Sequence, residues 1–186
     1  LQENLLLSHA CGMGEEVPQH LVKLMLLLKI RGILYGNSGV QPATAELLTQ
    51  LYNHSILPIV YTQGSLGASG DLAPLSHLCL PLFGHGEVYF QGKRMESIEA
   101  LHACKLQPVK LSSKEGLALI NGTQFMSAYA TWCVAEGERL MERSMSIAAL
   151  SLDAYDGRLE PFDELIHAAR PHAGQRYVAQ RMRELL

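Results

Sequence analysis

The sequence predicts a mainly α-helical chain, a bundle of long helices with one small β-hairpin. Three observations predict it. From Thr123 to Ala154 apolar residues recur at helical spacing, and a helix of that length needs bundle partners to cover it. Between Val17 and Leu34 nearly every side of a second helix is apolar, so it should be buried all round. Only Glu87–Phe90 and Lys93–Met95, joined by Gln91-Gly92, have the alternation and turn of a hairpin.

In chain order, residues 1–10 read as the end of a helix stopped by Gly12 and Gly14. Glu15-Glu16-Val17-Pro18 suit the first turn of the next, where acids and proline are favoured. Gly36-Asn37-Ser38-Gly39 end it. Pro42 opens a third helix with a stripe of Leu47, Leu48, Leu51 and Tyr52, and Pro58 breaks it. Ile59-Val60-Tyr61 lead, extended, into the glycine-rich stretch Gly64–Gly70. Asp71 can cap the helix that follows, with Pro74 in its first turn. After the hairpin come a short helix over Ile98–Cys104 and a segment capped by Ser112 or Ser113, with Glu115 and Gly116 in its first turn. Asn121-Gly122 interrupt that segment before the long helix. Asp156-Gly157 end the long helix, and two shorter helices finish the chain.

Composition narrows the class. Charged residues make up only 18%, below the roughly 25% usual for globular chains, which implies large buried faces within the chain or between subunits. A net charge of −3 without a basic block points away from nucleic acid and anionic membranes. The longest apolar run, Leu24–Leu28 between Lys23 and Lys29, is far short of the ~20 residues that span a bilayer. Cys11, Cys79, Cys104 and Cys133 show no C-x-x-C spacing and read as reduced, mostly packed thiols of a cytoplasmic protein. Both termini lie inside helical patterns, so a piece of a longer protein is expected.

Several chemistries lack their residues. Gly64, Gly67 and Gly70 are not spaced as G-x-G-x-x-G, and no Gly-Lys-Ser/Thr follows. None of the eight histidines pairs with another at i+3 or i+4, so no metal site is expected. No G-x-S-x-G elbow surrounds Ser69. The triplet Ala68-Ser69-Gly70 offers something different. Gly70 lets its nitrogen approach the Ala68 carbonyl carbon, Ala68 does not obstruct, and Ser69 carries a hydroxyl that can leave as water. Ring closure with two dehydrations would give a conjugated methylidene, an electrophile that ordinary side chains cannot supply. On local chemistry alone the plainer reading, a glycine-rich turn before a helix, is preferred.

The segment Gly64-Ser65-Leu66-Gly67-Ala68-Ser69-Gly70-Asp71-Leu72-Ala73-Pro74-Leu75 resembles the signature of the aromatic amino acid ammonia-lyases. Asn4–Ala10, Lys114–Gln124 and Arg158–Phe162 resemble further segments of that family, in family order. The resemblance covers essentially the whole chain and reverses the preference. It implies a mainly α fold of the helical-bundle (fumarase/aspartase-like) type, partial here, with a ring-bearing N-terminal part over 1–111 and the start of a central bundle over 112–186. It also implies that Ala68, Ser69 and Gly70 form 4-methylideneimidazole-5-one, with no external cofactor or metal, and that the assembly is a homotetramer with shared active sites. Ser8-His9 resembles the histidine-specific members, with His9 on the substrate side chain; the implied reaction is loss of ammonia from L-histidine to give trans-urocanate. Asn121 corresponds to an asparagine beside the ring, where an amide can donate to developing negative charge. Asp71 and Gln124 are carried over as supporting residues only.

One departure is Gln41, where many members have arginine. The family's basic tyrosine, and the residues that bind the substrate carboxylate, fall outside 1–186, so turnover by this chain alone is not expected. Two alternatives stay open: a tyrosine or phenylalanine lyase or aminomutase of the same family, which Ser8-His9 argues against, and a non-catalytic helical assembly fragment whose triplet never cyclises.

Overall fold

The computed structural model describes residues 1–186, which form two compact units, Leu1–Trp132 and Cys133–Leu186. The first unit carries the glycine-rich loop. It begins with α1 (Gln2–His9), β1 (Met13–Glu16), α2 (Gln19–Leu34) and α3 (Pro42–Asn53). Then come β2 (Leu57–Pro58), β3 (Tyr61–Gln63), α4 (Leu72–Cys79) and a 3-10 turn at Leu80–Phe83. The hairpin is β4 (Glu87–Phe90) and β5 (Lys93–Glu96), followed by α5 (Ser97–Ala103), α6 (Glu115–Ile120) and the first turns of α7 (Gln124–Ala154).

The core of this unit is aliphatic. Leu26 and Met25 of α2, Leu48 and Leu51 of α3, and Leu75 and Leu78 of α4 are fully buried together. Val88 and Phe90 of the hairpin close it from the sheet side. That sheet has three strands in the order β2-β4-β5, all antiparallel, with Leu57 opposite Tyr89 and Phe90 opposite Lys93.

Four expectations are corrected. Glu15 and Glu16 do not open a helix: they lie in β1, which pairs antiparallel with β3, and α2 starts after Pro18. Glu16 is held in the strand by the Arg94 guanidinium (2.7 Å) and the Tyr89 hydroxyl (3.0 Å), which outweigh its helix-start preference. Within this chain α2 is not buried all round; its far side leaves Leu27 42% and Leu34 71% exposed, because α3 and the core cover only one face. Asp71 holds the N-cap position of α4, but its side chain does not cap that helix. Neither Ser112 nor Ser113 caps α6 through its side chain. Lys114 is the N-cap residue there, and the Glu115 carboxylate turns back to accept from the Ser112 N–H (2.6 Å).

The second unit holds the rest of α7, a 3-10 turn at Glu160–Phe162, α8 (Glu164–Ala168) and α9 (Ala173–Leu185). Met145 and Ala149 of α7 pack on Met182 of α9, with Phe162 and Val178 beside them. His167 is fixed between the Pro161 carbonyl (3.0 Å) and the Gln175 amide (3.0 Å). No helix is long and apolar enough to cross a membrane.

Candidate active site

Three stretches of the first unit meet at the loop that β3 feeds into. The β1–β3 ladder ties the chain after His9 to the chain before Gly64, with Met13 opposite Gln63. The backbones touch there: a Cβ built on Gly64, whose φ is +119°, would lie 3.2 Å from the Gly12 Cα. The Gly12 N–H also donates to His77 Nε2 (3.0 Å), which ties the same segment to α4. Burial holds the His77 imidazole below its usual pKa, which suits a ring that must accept a hydrogen bond.

The other side of the loop rests on the turn between α6 and α7. Gly70 has φ +98°, and a Cβ there would fall 2.5 Å from the Gly122 carbonyl oxygen and 2.8 Å from its nitrogen. The next residue closes the contact, for the Asp71 N–H donates to the Gly122 oxygen at 2.7 Å. Asp71 itself is fully buried. One carboxylate oxygen accepts from the Ser65 hydroxyl (2.9 Å), bridging the two ends of the loop. The other accepts from the Met126 N–H (3.1 Å) in the first turn of α7. Asp71 therefore caps α7 rather than α4, placing its negative charge at the positive end of the longest helix.

The residues singled out in the sequence fall as follows. Ala68 and Ser69 are exposed on the loop, and Gly70 is half-buried under them. Asn121 is exposed on the turn that holds Gly70, and its backbone N–H closes α6 on the Leu117 carbonyl (2.9 Å). Gln124 folds over Gly122; its Oε1 is buried without a hydrogen-bond partner. His9 ends α1, which packs against both α4 and α6. Its Nδ1 is 2.8 Å from the Leu5 carbonyl and 3.1 Å from the Ser8 hydroxyl; the carbonyl only accepts, so Nδ1 carries a proton, and in that tautomer Nε2 can accept. Ser8 bonds the same carbonyl (2.9 Å). The triplet and Asn121 are thus brought together by backbone contact, while His9 is joined to them through β1 and helix packing.

The supports of this arrangement were less visible in the sequence. In the sequence Ser65 is one small residue of the glycine-rich run; in the fold its hydroxyl bridges the loop to the buried aspartate six residues on. Glu115 is fully buried and accepts from the Gln41 N–H (2.8 Å), the Gln41 amide (2.6 Å), the Thr44 hydroxyl (2.8 Å) and the Ser112 N–H (2.6 Å). Burial acts to raise its pKa, but these donors outweigh it and hold the carboxyl below the usual range. Gln41, the departure from the family pattern, is one of these donors. Lys29 is 3% exposed, and burial lowers its pKa. The nearby Cys79 thiol is pushed up to about 11, chiefly by burial. Cys11 and Cys133, by contrast, are exposed thiols.

The site so described is a small-residue loop at a helix start, locked to an Asn-Gly turn by backbone contact. Residues 1–186 match the aromatic amino acid lyase family, and the chain belongs to it. Among curated relatives it is 50% identical to a histidine ammonia-lyase of Bacillus velezensis, matching 100% of this chain and 36% of the relative. It is 49% identical to the histidine ammonia-lyase of Bacillus subtilis, over 98% of the chain and 36% of the relative. Among solved structures, histidine ammonia-lyase from Trypanosoma cruzi superposes with a TM-score of 0.92 at 35% identity, covering 100% of this chain and 37% of that one. The chain thus spans little more than a third of the length of these relatives. The mainly helical fold expected from the sequence is the one shared with the Trypanosoma cruzi structure; beside the expected hairpin, the chain has the β1–β3 ladder and β2 paired to β4.

Proposed function

We propose that the protein carrying this chain is a histidine ammonia-lyase, releasing ammonia from L-histidine to give trans-urocanate. The observation that carries the reading is the seat of Gly70 on Gly122, which sets the Ala-Ser-Gly triplet beside Asn121. The relatives at 46–50% identity support the histidine-specific branch, as does Ser8-His9.

The residues present fit 4-methylideneimidazole-5-one formed from Ala68, Ser69 and Gly70. Ala68 and Ser69 are small and exposed, and Gly70 sits in a cradle that would exclude any side chain. That group supplies an electrophile which the twenty side chains lack. The chain's own residues orient and polarise. The Asn121 amide is free to donate toward charge that develops beside Gly70. His9 Nε2, as acceptor, suits the N–H of a substrate imidazole. Asp71 keeps the loop closed and capped on α7, and the Gln124 side chain packs on Gly122 of the turn; both are supports in this reading. The base for the β-proton and the anchor for the carboxylate come from residues outside 1–186. In the same reading, 1–111 is the ring-bearing part, 112–186 begins the central bundle, and the working form is a homotetramer in the cytoplasm.

Intact mass and turnover of the whole protein test the proposal. The expected result is a mass two waters below the sequence mass, restored by Ser69→Ala, with urocanate formed from histidine faster than cinnamates from tyrosine or phenylalanine. A full sequence mass in active-temperature, folded protein would refute it, as would better turnover of tyrosine.

A further inference from the structure

We infer that Lys29 is a positioning residue: its buried ammonium holds the last turn of α6 and thereby fixes where Asn121 and Gly122 sit against Gly70. The inference rests on the role proposed for Asn121. Lys29 lies in α2 between Leu28 and Ile30, and its Nζ donates to the Ala118 carbonyl at 2.8 Å. Ala118 belongs to the final turn of α6, where the chain leaves helical geometry at Asn121 (φ −87°, ψ 110°). In a continuing helix the Ala118 carbonyl would take the Gly122 N–H. Here that nitrogen lies against Gly70 instead. Lys29 replaces the lost donor, and a cation at the carbonyl end of a helix has the favourable sign.

Two further observations point to position rather than stability. First, α6 has only six residues, too few to set its own end, so its last turn stays where its neighbours hold it. Its first turn is clasped by the Glu115 network and by Gln2, whose side chain accepts from the Gly116 N–H (2.9 Å). Lys29 is the corresponding hold at the far end, next to Asn121. Second, a buried ammonium bonded to a single neutral carbonyl is a poor choice for stability, and burial already disfavours its charge. A methionine of similar length would fill the same space without that cost.

The test uses the whole protein, with rates expressed per cyclised subunit as read from intact mass. Wild type, Lys29→Met, Lys29→Arg, Asn121→Ala and the Lys29→Met/Asn121→Ala double variant are compared for kcat, KM and Tm. Lys29→Met is expected to keep or raise Tm, to change KM by less than about threefold, and to lower kcat about 10- to 100-fold, the scale of a misplaced rather than deleted donor. Lys29→Arg, which returns a cationic donor, is expected to recover part of the loss. On the Asn121→Ala background Lys29→Met should cost less than about another twofold, because its effect passes through Asn121.

A wild-type kcat in Lys29→Met with Asn121→Ala slow overturns the inference and leaves the proposed function standing. So does a Lys29→Met loss that multiplies in full on Asn121→Ala, or one that follows a fall in Tm and is not eased by Lys29→Arg. Should Lys29→Met not fold, Lys29→Gln carries the same cycle and the same criteria. An inactive wild type refutes the proposed function itself, and a wild-type rate in Asn121→Ala refutes that residue's role; either removes this inference with it.

Discussion

Replacing Gly70 by alanine tests the contact on which the site is built. At φ +98° an L-residue with a Cβ costs on the order of 1–2 kcal/mol relative to glycine. The added carbon would also fall 2.5 Å from the Gly122 oxygen and 2.8 Å from its nitrogen, both backbone atoms that cannot rotate away. Shifting that peptide carries an overpacking cost of about 1–3 kcal/mol. It also stretches the 2.7 Å bond from the Asp71 N–H, worth about another 0.5–1.5 kcal/mol. Together the destabilisation is roughly 2.5–6.5 kcal/mol. Gly70 belongs to the triplet, so the measurement is made in a Ser69→Ala background, where ring chemistry is absent from both proteins. Urea unfolding followed by circular dichroism gives the difference. Gly67→Ala is the control: its φ lies outside the left-handed region and nothing lies within 4 Å of its added Cβ. It should be neutral, or stabilising by up to about 1 kcal/mol. A loss below about 1 kcal/mol for Gly70→Ala, equal to the control, would refute the claim that the Gly70–Gly122 contact organises the site.

Two other outcomes follow from the buried carboxylates. Asp71→Ala leaves the Ser65 hydroxyl and the Met126 N–H without their acceptor; a loss of about 2–4 kcal/mol in urea unfolding is expected, with Asp71→Asn keeping part of it through its amide oxygen. Equal stability of all three proteins would show that the cap on α7 is idle. For Glu115 the folded-state pKa is depressed, so its contribution is present above the unfolded value of about 4.3 and is lost as pH falls below that toward the folded value. The Tm gap between wild type and Glu115→Gln should therefore be widest near neutral pH and close in acid, whereas a gap independent of pH would deny that the carboxylate's charge is what the four donors hold.

The helices were legible because burial of their apolar faces follows local periodicity. Leu47, Leu48 and Leu51 mark α3 in the sequence and are its buried apolar residues in the fold. The strand β1 was not legible, since Met13–Glu16 has no alternation and its partner lies nearly fifty positions on, at Tyr61–Gln63. Only the tertiary arrangement, with Arg94 and Tyr89 reaching Glu16, makes an extended conformation the better use of those residues. The triplet and Asn121 could be named from the sequence because the segments that hold them resemble those of a known family; local chemistry alone left the triplet a turn. What joins them could not, because the contact is made by backbone atoms of Gly70, Asp71 and Gly122, which have no side-chain signature. The aspartate shows the same limit. Its place before α4 is a correct local reading, but the helix end it serves is the one brought to it by folding.

Lys29 marks where the two kinds of information meet. In the sequence Lys29 only bounds the apolar run Leu24–Leu28 of a helix expected to be buried all round, and nothing local says what its ammonium meets. The structure puts that charge inside, on the carbonyl end of α6. With Glu115 at the other end of α6 and Asp71 at the start of α7, three buried ionisable side chains fix the two helices that flank one short connection. None of them is suited to the chemistry proposed for the triplet, since each is already engaged by hydrogen bonds. Their common effect is to leave the Asn121-Gly122 turn little freedom. An exposed amide can act as a preorganised donor only if its backbone does not move when charge develops beside it. The burial of these three groups is therefore best understood as the means by which a surface asparagine is given the rigidity of a core residue.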